Sequence, residues 1–189
     1  MAKLDRTAYR EDEIRQAWVT EAPVLNSTVT LAEYDPGWPG LYEREAARIR
    51  SALGERVLRL EHVGSTSVPG LCAKPIVDVL LVVPDSGDEP AYLPALETAG
   101  YRLVIREPRW HEHRAFKGPD TNMNLHVYSP GSAEIDRCLK FRNRLRASDS
   151  DRALYDRTKR ELAARTWKYI QNYADAKNDV VDEILARAG

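Results

Sequence analysis

The run from Ile76 to Val83 is apolar at every position but Asp78. A strand with one solvated face alternates, so an unbroken run of this kind reads as a central strand covered on both faces. The sheet that contains it must therefore carry helices on either side. Just upstream stands Glu61-His62-Val63-Gly64-Ser65-Thr66-Ser67-Val68-Pro69-Gly70-Leu71, a strand entering a Gly/Ser/Thr turn. Glycine lets a ligand approach the main chain, and the backbone N–H groups and hydroxyls of Gly64, Ser65, Thr66 and Ser67 suit a phosphate. Asp78 on the adjacent strand suits Mg²⁺ held against that phosphate, because hard divalent cations take carboxylate and phosphate oxygens. The same residues also read as a Pro/Gly-rich connection whose Asp78 merely starts a strand.

Pattern and punctuation mark the other elements. Ser27 to Ala32 alternates polar and apolar, as a strand does, and Asp35-Pro36-Gly37 turns the chain. Trp38, Leu41, Ala46, Ile49 and Leu53 share one face of a following helix that Gly54 ends. Strands are expected over Val57 to Val63, Ile76 to Val83, Tyr101 to Arg106, His113 to Lys117 and Met123 to Tyr128, with a helix over Pro90 to Ala99. After Pro130-Gly131 the chain reads as helical, broken near Ser148-Asp149-Ser150 and near Thr166 to Lys168. Leu154, Leu162, Ile170, Val181, Ile184 and Leu185 are its expected core. Glu11 to Val19 suits a short helix that Glu21-Ala22-Pro23 interrupts. Residues 1–26 thus form an N-terminal extension and 27–189 a single domain, with the mixed sheet in 27–130 and a helical part in 131–189. Whether the extension packs on its own domain or on another subunit stays open.

With 43% apolar and 30% charged residues, the composition is that of a globular protein. The formal net charge of −1 gives no overall bias toward nucleic acid or anionic membrane, so anion binding would come from local clusters of Lys and Arg. Cys72 and Cys138 have neither disulfide-framework nor metal-ligand spacing and read as two thiols. Met1 to Arg6 lacks an apolar signal core and no apolar run approaches membrane-spanning length, so a cytoplasmic location without a membrane partner is expected.

The run EHVGSTSVPGLCAKPIVDVLLVV resembles the signature of the GrpB family, whose fold is similar to that of the nucleotidyltransferase superfamily. Tyr34-Asp35-Pro36-Gly37-Trp38-Pro39, Asn124-Leu125-His126-Val127 and Phe141-Arg142-Asn143-Arg144-Leu145-Arg146 extend the resemblance over roughly residues 28 to 186. It implies an α+β, nucleotidyltransferase-like mixed β-sheet with flanking helices and a C-terminal helical bundle. The superfamily places a second carboxylate two residues after the first, where this chain has Leu80. One metal ion is then the natural expectation, held by Asp78 and completed by Glu61, a nearby histidine, water and phosphate.

Further candidates follow. Lys74 precedes Asp78 in the loop and can neutralise a triphosphate, or be a solvated lysine. Asn122, Asn124 and His126 share a strand face that suits a site wall. In the GrpB family that the chain resembles, a second histidine is common at the position of Asn124, so a His-pair metal site is in doubt. His126 is a candidate base, ligand or hydrogen-bonding core residue. His111 and His113 flank Glu112 and would face the same way on a strand, but no third zinc ligand follows; Arg114 suits phosphate better. Arg142 and Arg146 on one helical stripe, and Tyr155 and Lys159 four apart on the next helix, could clamp a polyanion or line ordinary solvated faces.

Two functions compete on these residues. One is a Mg²⁺-dependent nucleotidyltransferase-like enzyme that joins a nucleoside triphosphate to a small-molecule acceptor, with Asp78 and His126 catalytic. The other is a non-catalytic accessory module, like the GrpB-like domain fused to dephospho-CoA kinase. Nucleic-acid binding ranks last, because no extended basic surface is evident. The oligomeric state stays open.

Overall fold

The computed structural model describes residues 8–188, and the opening residues read above for a signal core lie outside them. Five strands form one mixed sheet: β1 (Arg59–Val63), β2 (Val77–Val82), β3 (Arg102–Glu107), β4 (His113–Lys117) and β5 (Met123–Tyr128). Their spatial order is β1-β2-β5-β4-β3. Only β2 and β5 run parallel; the other neighbours are antiparallel. The chain passes from β2 through β3 and β4 before returning as β5, so β2 becomes an interior strand.

That position explains the apolar run. Val77, Val79 and Leu81 pack with Met123, Leu125, Val127 and Phe116 under helix α2 (Trp38–Leu53) and helix α3 (Leu93–Thr98). Leu80 and Val82 face the other way, against Ile135 and Leu139 of helix α4 (Ala133–Ala147). Leu80 is fully buried there. A carboxylate in its place would be buried against Ile135 and Leu139, which is costly unless it is paired.

Helix α2 begins where the Asp35 carboxylate accepts the Gly37 N–H at 2.7 Å, with Pro39 in the first turn. It ends at Gly54, whose φ of +55° glycine adopts without strain. A short 3₁₀ turn over Gly54–Arg56 delays β1 to Arg59, later than the expected Val57. Ser27 to Ala32 is not a strand; it makes only isolated bridges, Ser27 to Trp167 and Ala32 to Ala73. Its alternation is satisfied against loops, because both edges of the sheet lie elsewhere. The helix expected over 90–99 divides into a 3₁₀ turn at Glu89–Ala91 and α3.

The C-terminal part holds α4, α5 (Asp149–Ala163), α6 (Ile170–Asp175) and α7 (Asn178–Ala186). Leu145, Tyr155, Val180, Val181 and Ile184 pack around Val68 and Leu71, so the loop after the Gly-Ser turn is anchored in the bundle. Helix α1 (Glu11–Ala17) leads into a segment that docks on the sheet edge: Trp18 bridges Ile105, and the Val19 N–H donates to the Val104 carbonyl at 3.0 Å. Ile14 and Ala22 pack with Tyr169. The described part of the extension, from residue 8 on, therefore packs on its own chain. No helix among the described residues is long and apolar enough to cross a membrane.

Candidate functional site

Strand register fixes the site. Asp78 pairs with Val63 on one side and Asn124 on the other, and Asn124 pairs with Lys117, so all four project from the α4 face. The Asn124 amide donates to Asp78 Oδ1 at 2.7 Å while its oxygen accepts Lys117 Nζ at 2.6 Å. One amide thus orients an acid and a cation together. His126, next along the same face, places Nε2 3.6 Å from Asp78 Oδ1. Burial pushes the Asp78 carboxyl up, but His126, Asn124 and Lys74 outweigh it and hold the group below its ordinary value. Asp78 is ionised at neutral pH.

The turn lies directly against this carboxylate. Gly64 has φ +68°, and a Cβ there would stand 2.4 Å from Asp78 Oδ2. Glycine is needed twice over, for the conformation and for the approach. Ser65 presents Oγ to Lys159 Nζ at 3.1 Å, and Lys159 also donates to the Cys72 carbonyl. Tyr155, hydrogen-bonded to Ser65, packs under Lys159 with the ammonium 4.9 Å from its ring. Burial lowers Lys159 to about 8 and lowers Lys74 and Lys117 as well, the field of Asp78 opposing it in the latter two. Lys74 sits 5.8 Å from the ring of Tyr173, whose buried hydroxyl has no hydrogen-bond partner.

Other expected site residues are held elsewhere. Thr66 Oγ1 meets His62 Nε2 at 3.0 Å on the opposite side of the sheet, and Ser67 Oγ donates to the Gly64 carbonyl at 2.6 Å. Of the three hydroxyls, Ser65 alone joins the Asp78 group. Glu61 lies on the same face but opposite Leu80, where Arg142 and Arg59 bind its carboxylate at 2.8 and 3.1 Å. It does not reach Asp78 as a co-ligand. Arg142 also donates to the His62 carbonyl at 2.9 Å, and Arg146 grips the Ser67 carbonyl through Nε and Nη2 at 2.9 and 2.7 Å. These arginines brace the turn through its carbonyls. Arg146→Ala is expected to cost about 1 kcal/mol by removing both donors, read as a lower urea midpoint. Arg114 lies on the far face, bonded to Glu89 at 2.5 Å. His111 has φ +53° in the turn before β4 and does not share a face with His113.

Among the described residues no three His, Cys, Asp or Glu side chains form a metal cage. Asp78 supplies one hard anionic oxygen among several ammonium groups. These residues fit a divalent cation only as a single protein ligand that shares the ion with phosphate oxygens and water, a common mode for Mg²⁺.

Sequence reasoning missed Lys117, Glu107 and Tyr9, and weighed His113 only as a zinc ligand. His113 Nδ1 meets Glu107 Oε2 at 2.6 Å and His113 Nε2 meets His126 Nδ1 at 3.0 Å, while Tyr9 Oη donates to Glu107 Oε1 at 2.5 Å. Lys117 and His113 share the period-2 face of Ala115, a signal that becomes readable once β4 is known to pair with β5.

The fold and site define an α+β protein with one polar, lysine-lined site at a strand-borne aspartate. A family model described as GrpB protein matches residues 28–187, and the chain belongs to the GrpB family. A UPF0157 protein of Halalkalibacterium halodurans is 59% identical over 182 residues, covering 96% of this chain and 93% of that one. The crystal structure of the conserved protein GrpB from Enterococcus faecalis superposes with a TM-score of 0.74 at 33% identity, over 84% of this chain and 96% of that one. A dephospho-CoA kinase of Mycolicibacterium paratuberculosis is 27% identical over 191 residues, which span 87% of this chain but 47% of the kinase.

Proposed function

We propose that the Asp78 site binds the phosphates of a nucleoside triphosphate and supports nucleotidyl transfer to a small-molecule acceptor. The observation that carries this reading is that Lys74 and Lys117 lie in the field of the lone acid Asp78, with Ser65, bonded to Lys159, on the turn packed against that acid. A half-buried corner with an excess of cations favours a multiply charged anion, since attraction strengthens as water is displaced. Ser65 and Lys159 would bind a phosphate, and Lys74 and Lys117 would offset charge on the leaving group. Asp78 would hold Mg²⁺, which when bound screens the phosphate charge. His126 would take the proton of the acceptor's hydroxyl or amine.

Isothermal titration with ATP, CTP, GTP and UTP in the presence of Mg²⁺ tests this. At least one nucleotide is expected to bind, and Asp78→Asn to weaken it by about tenfold or more, since one charge-assisted contact contributes roughly 1.5–3 kcal/mol. Silence toward all four would reject the reading. The accessory-module alternative rests on the buried Leu80 in place of a second acid. Affinity unchanged by chelation of Mg²⁺, with no product formed, would favour it.

A further inference from the structure

We propose that a cavity across the Gly-Ser turn from Asp78 is a separate binding site for a small zwitterion with an apolar body, an α-amino acid of the phenylalanine or leucine kind. The cavity encloses about 490 Å³, a volume typical of small-molecule sites. None of its lining residues belongs to the Asp78 corner, so the inference does not depend on what binds there. Strand alternation keeps the two apart. His62 lines the cavity and pairs with Val79, whereas Asp78 pairs with Val63, so the histidine and the aspartate project from opposite faces of the sheet. Pro39, Tyr42 and Glu43 stand at helical spacing on the first turns of α2 and present one face to the cavity. Tyr34 enters from the segment before that helix, its ring edge-on to Trp38 at 5.4 Å. Tyr42 is fixed by its stack on His62 and by donating to the Leu60 carbonyl at 3.2 Å. With Pro39 and Pro69 these rings offer an apolar wall that suits a hydrocarbon or aromatic side chain.

The charges around the cavity select the ligand. Arg152, at the α4–α5 corner, is already matched: it donates to Asp149 at 2.7 Å and to the Leu145 carbonyl at 3.1 Å. Arg146, from the last turn of α4, commits Nε and Nη2 to the Ser67 carbonyl along one edge of its guanidinium. Its outer edge, between Nη1 and Nη2, keeps two parallel N–H donors that no described residue takes. That fork matches a carboxylate, and the bonds to Ser67 hold it in place beforehand. Glu43 is exposed at the same cavity, and among the described residues neither it nor Arg146 makes an ion pair. The two unmatched charges are therefore of opposite sign. A simple anion would meet the repulsion of Glu43 and a simple cation that of Arg146, whereas a molecule carrying both a carboxylate and an ammonium satisfies each.

The test is titration of the ¹⁵N-labelled full chain with L-phenylalanine and with L-leucine, followed through assigned backbone amide shifts. At least one of the two should give saturable shifts centred on Tyr34, Tyr42, Ser67 and the α4–α5 corner. Two analogues separate the charges: 3-phenylpropionate lacks the amine and phenethylamine lacks the carboxylate. Each should bind about tenfold more weakly than phenylalanine, the effect of losing one charge-assisted contact. Glu43→Gln, a change at an exposed position, should weaken the amino acid by a similar factor and leave 3-phenylpropionate no weaker. Arg146→Lys keeps the charge but loses the fork, and should weaken both. No saturable shift with either amino acid, or shifts centred elsewhere, would overturn the proposal. So would 3-phenylpropionate binding as tightly as phenylalanine, which marks a plain anion site, or an affinity unchanged in Glu43→Gln.

Discussion

Alanine at Gly64 is expected to destabilise the protein by about 2–6 kcal/mol and to abolish the nucleotide binding proposed at Asp78. Two effects add. At φ +68° and ψ −175° the backbone lies in a region essentially reserved for glycine, and a residue with a Cβ loses roughly 1–3 kcal/mol there. The new Cβ would also stand 2.4 Å from Asp78 Oδ2 and 3.0 Å from the Asp78 Cβ, which belongs to a buried interior strand that cannot retreat. Overpacking of this kind costs about 1–3 kcal/mol more. Either the turn lifts off or Asp78 swings away, and both separate Ser65 from the acid. For a chain of this length the loss corresponds to a fall in Tm of about 10 °C. Gly70 provides the control: its φ is also positive, +76°, but no atom stands within 4 Å of its added Cβ, so Gly70→Ala carries the backbone term alone. Equal losses at the two glycines would show that the contact with Asp78 is not what demands glycine at position 64.

Acid should weaken the fold through His62. This ring is buried, stacks on Tyr42 with centroids 4.9 Å apart, and shares a hydrogen bond with Thr66. Burial above all, opposed by Asp78 and reinforced by Arg146 and Arg142, pulls its pKa down to about 4. In the unfolded chain the ring titrates near 6.5. Below that value the unfolded state binds a proton that the folded state refuses, so stability is fully present above pH 6.5 and is lost as pH falls toward 4. The shift amounts to about 3 kcal/mol at the acid end. Phenylalanine at this position keeps the stack and removes the titration. Urea unfolding of wild type and His62→Phe at pH 7 and pH 4 should show a larger acid loss in the wild type. Parallel losses in the two proteins would refute the assignment.

The elements legible in the sequence are those whose residues report their own surroundings. Ile76 to Val83 announced an interior strand because burial on both faces leaves no room for alternation, and the structure places it second in a five-stranded sheet. The Gly-Ser turn and Asp78 were legible together for a related reason: short-range connectivity brings a strand end back beside its neighbour. Arg142 and Arg146 were harder. Their spacing showed one helical stripe, but nothing local shows that they reach the carbonyls of His62 and Ser67 before any ligand. Arg114 went astray because a strand alternates between faces, and which face carries the site depends on partners far along the chain. Ser27 to Ala32 has a strand's pattern without a sheet edge to receive it.

By itself, then, the sequence determined the hydrophobic layers, the turn chemistry and the family, all of which depend on local pattern. Tertiary structure alone decided which charges are neutralised within the protein and which face the site. Lys117 meets Asn124, and Glu107 and His113 link to His126, only through the register of β3, β4 and β5, and Tyr9 joins Glu107 only through docking of the N-terminal segment. The physical reason is range. Periodicity reports what lies within a few residues, whereas a hydrogen-bond chain is assembled by contacts between residues as much as 98 positions apart.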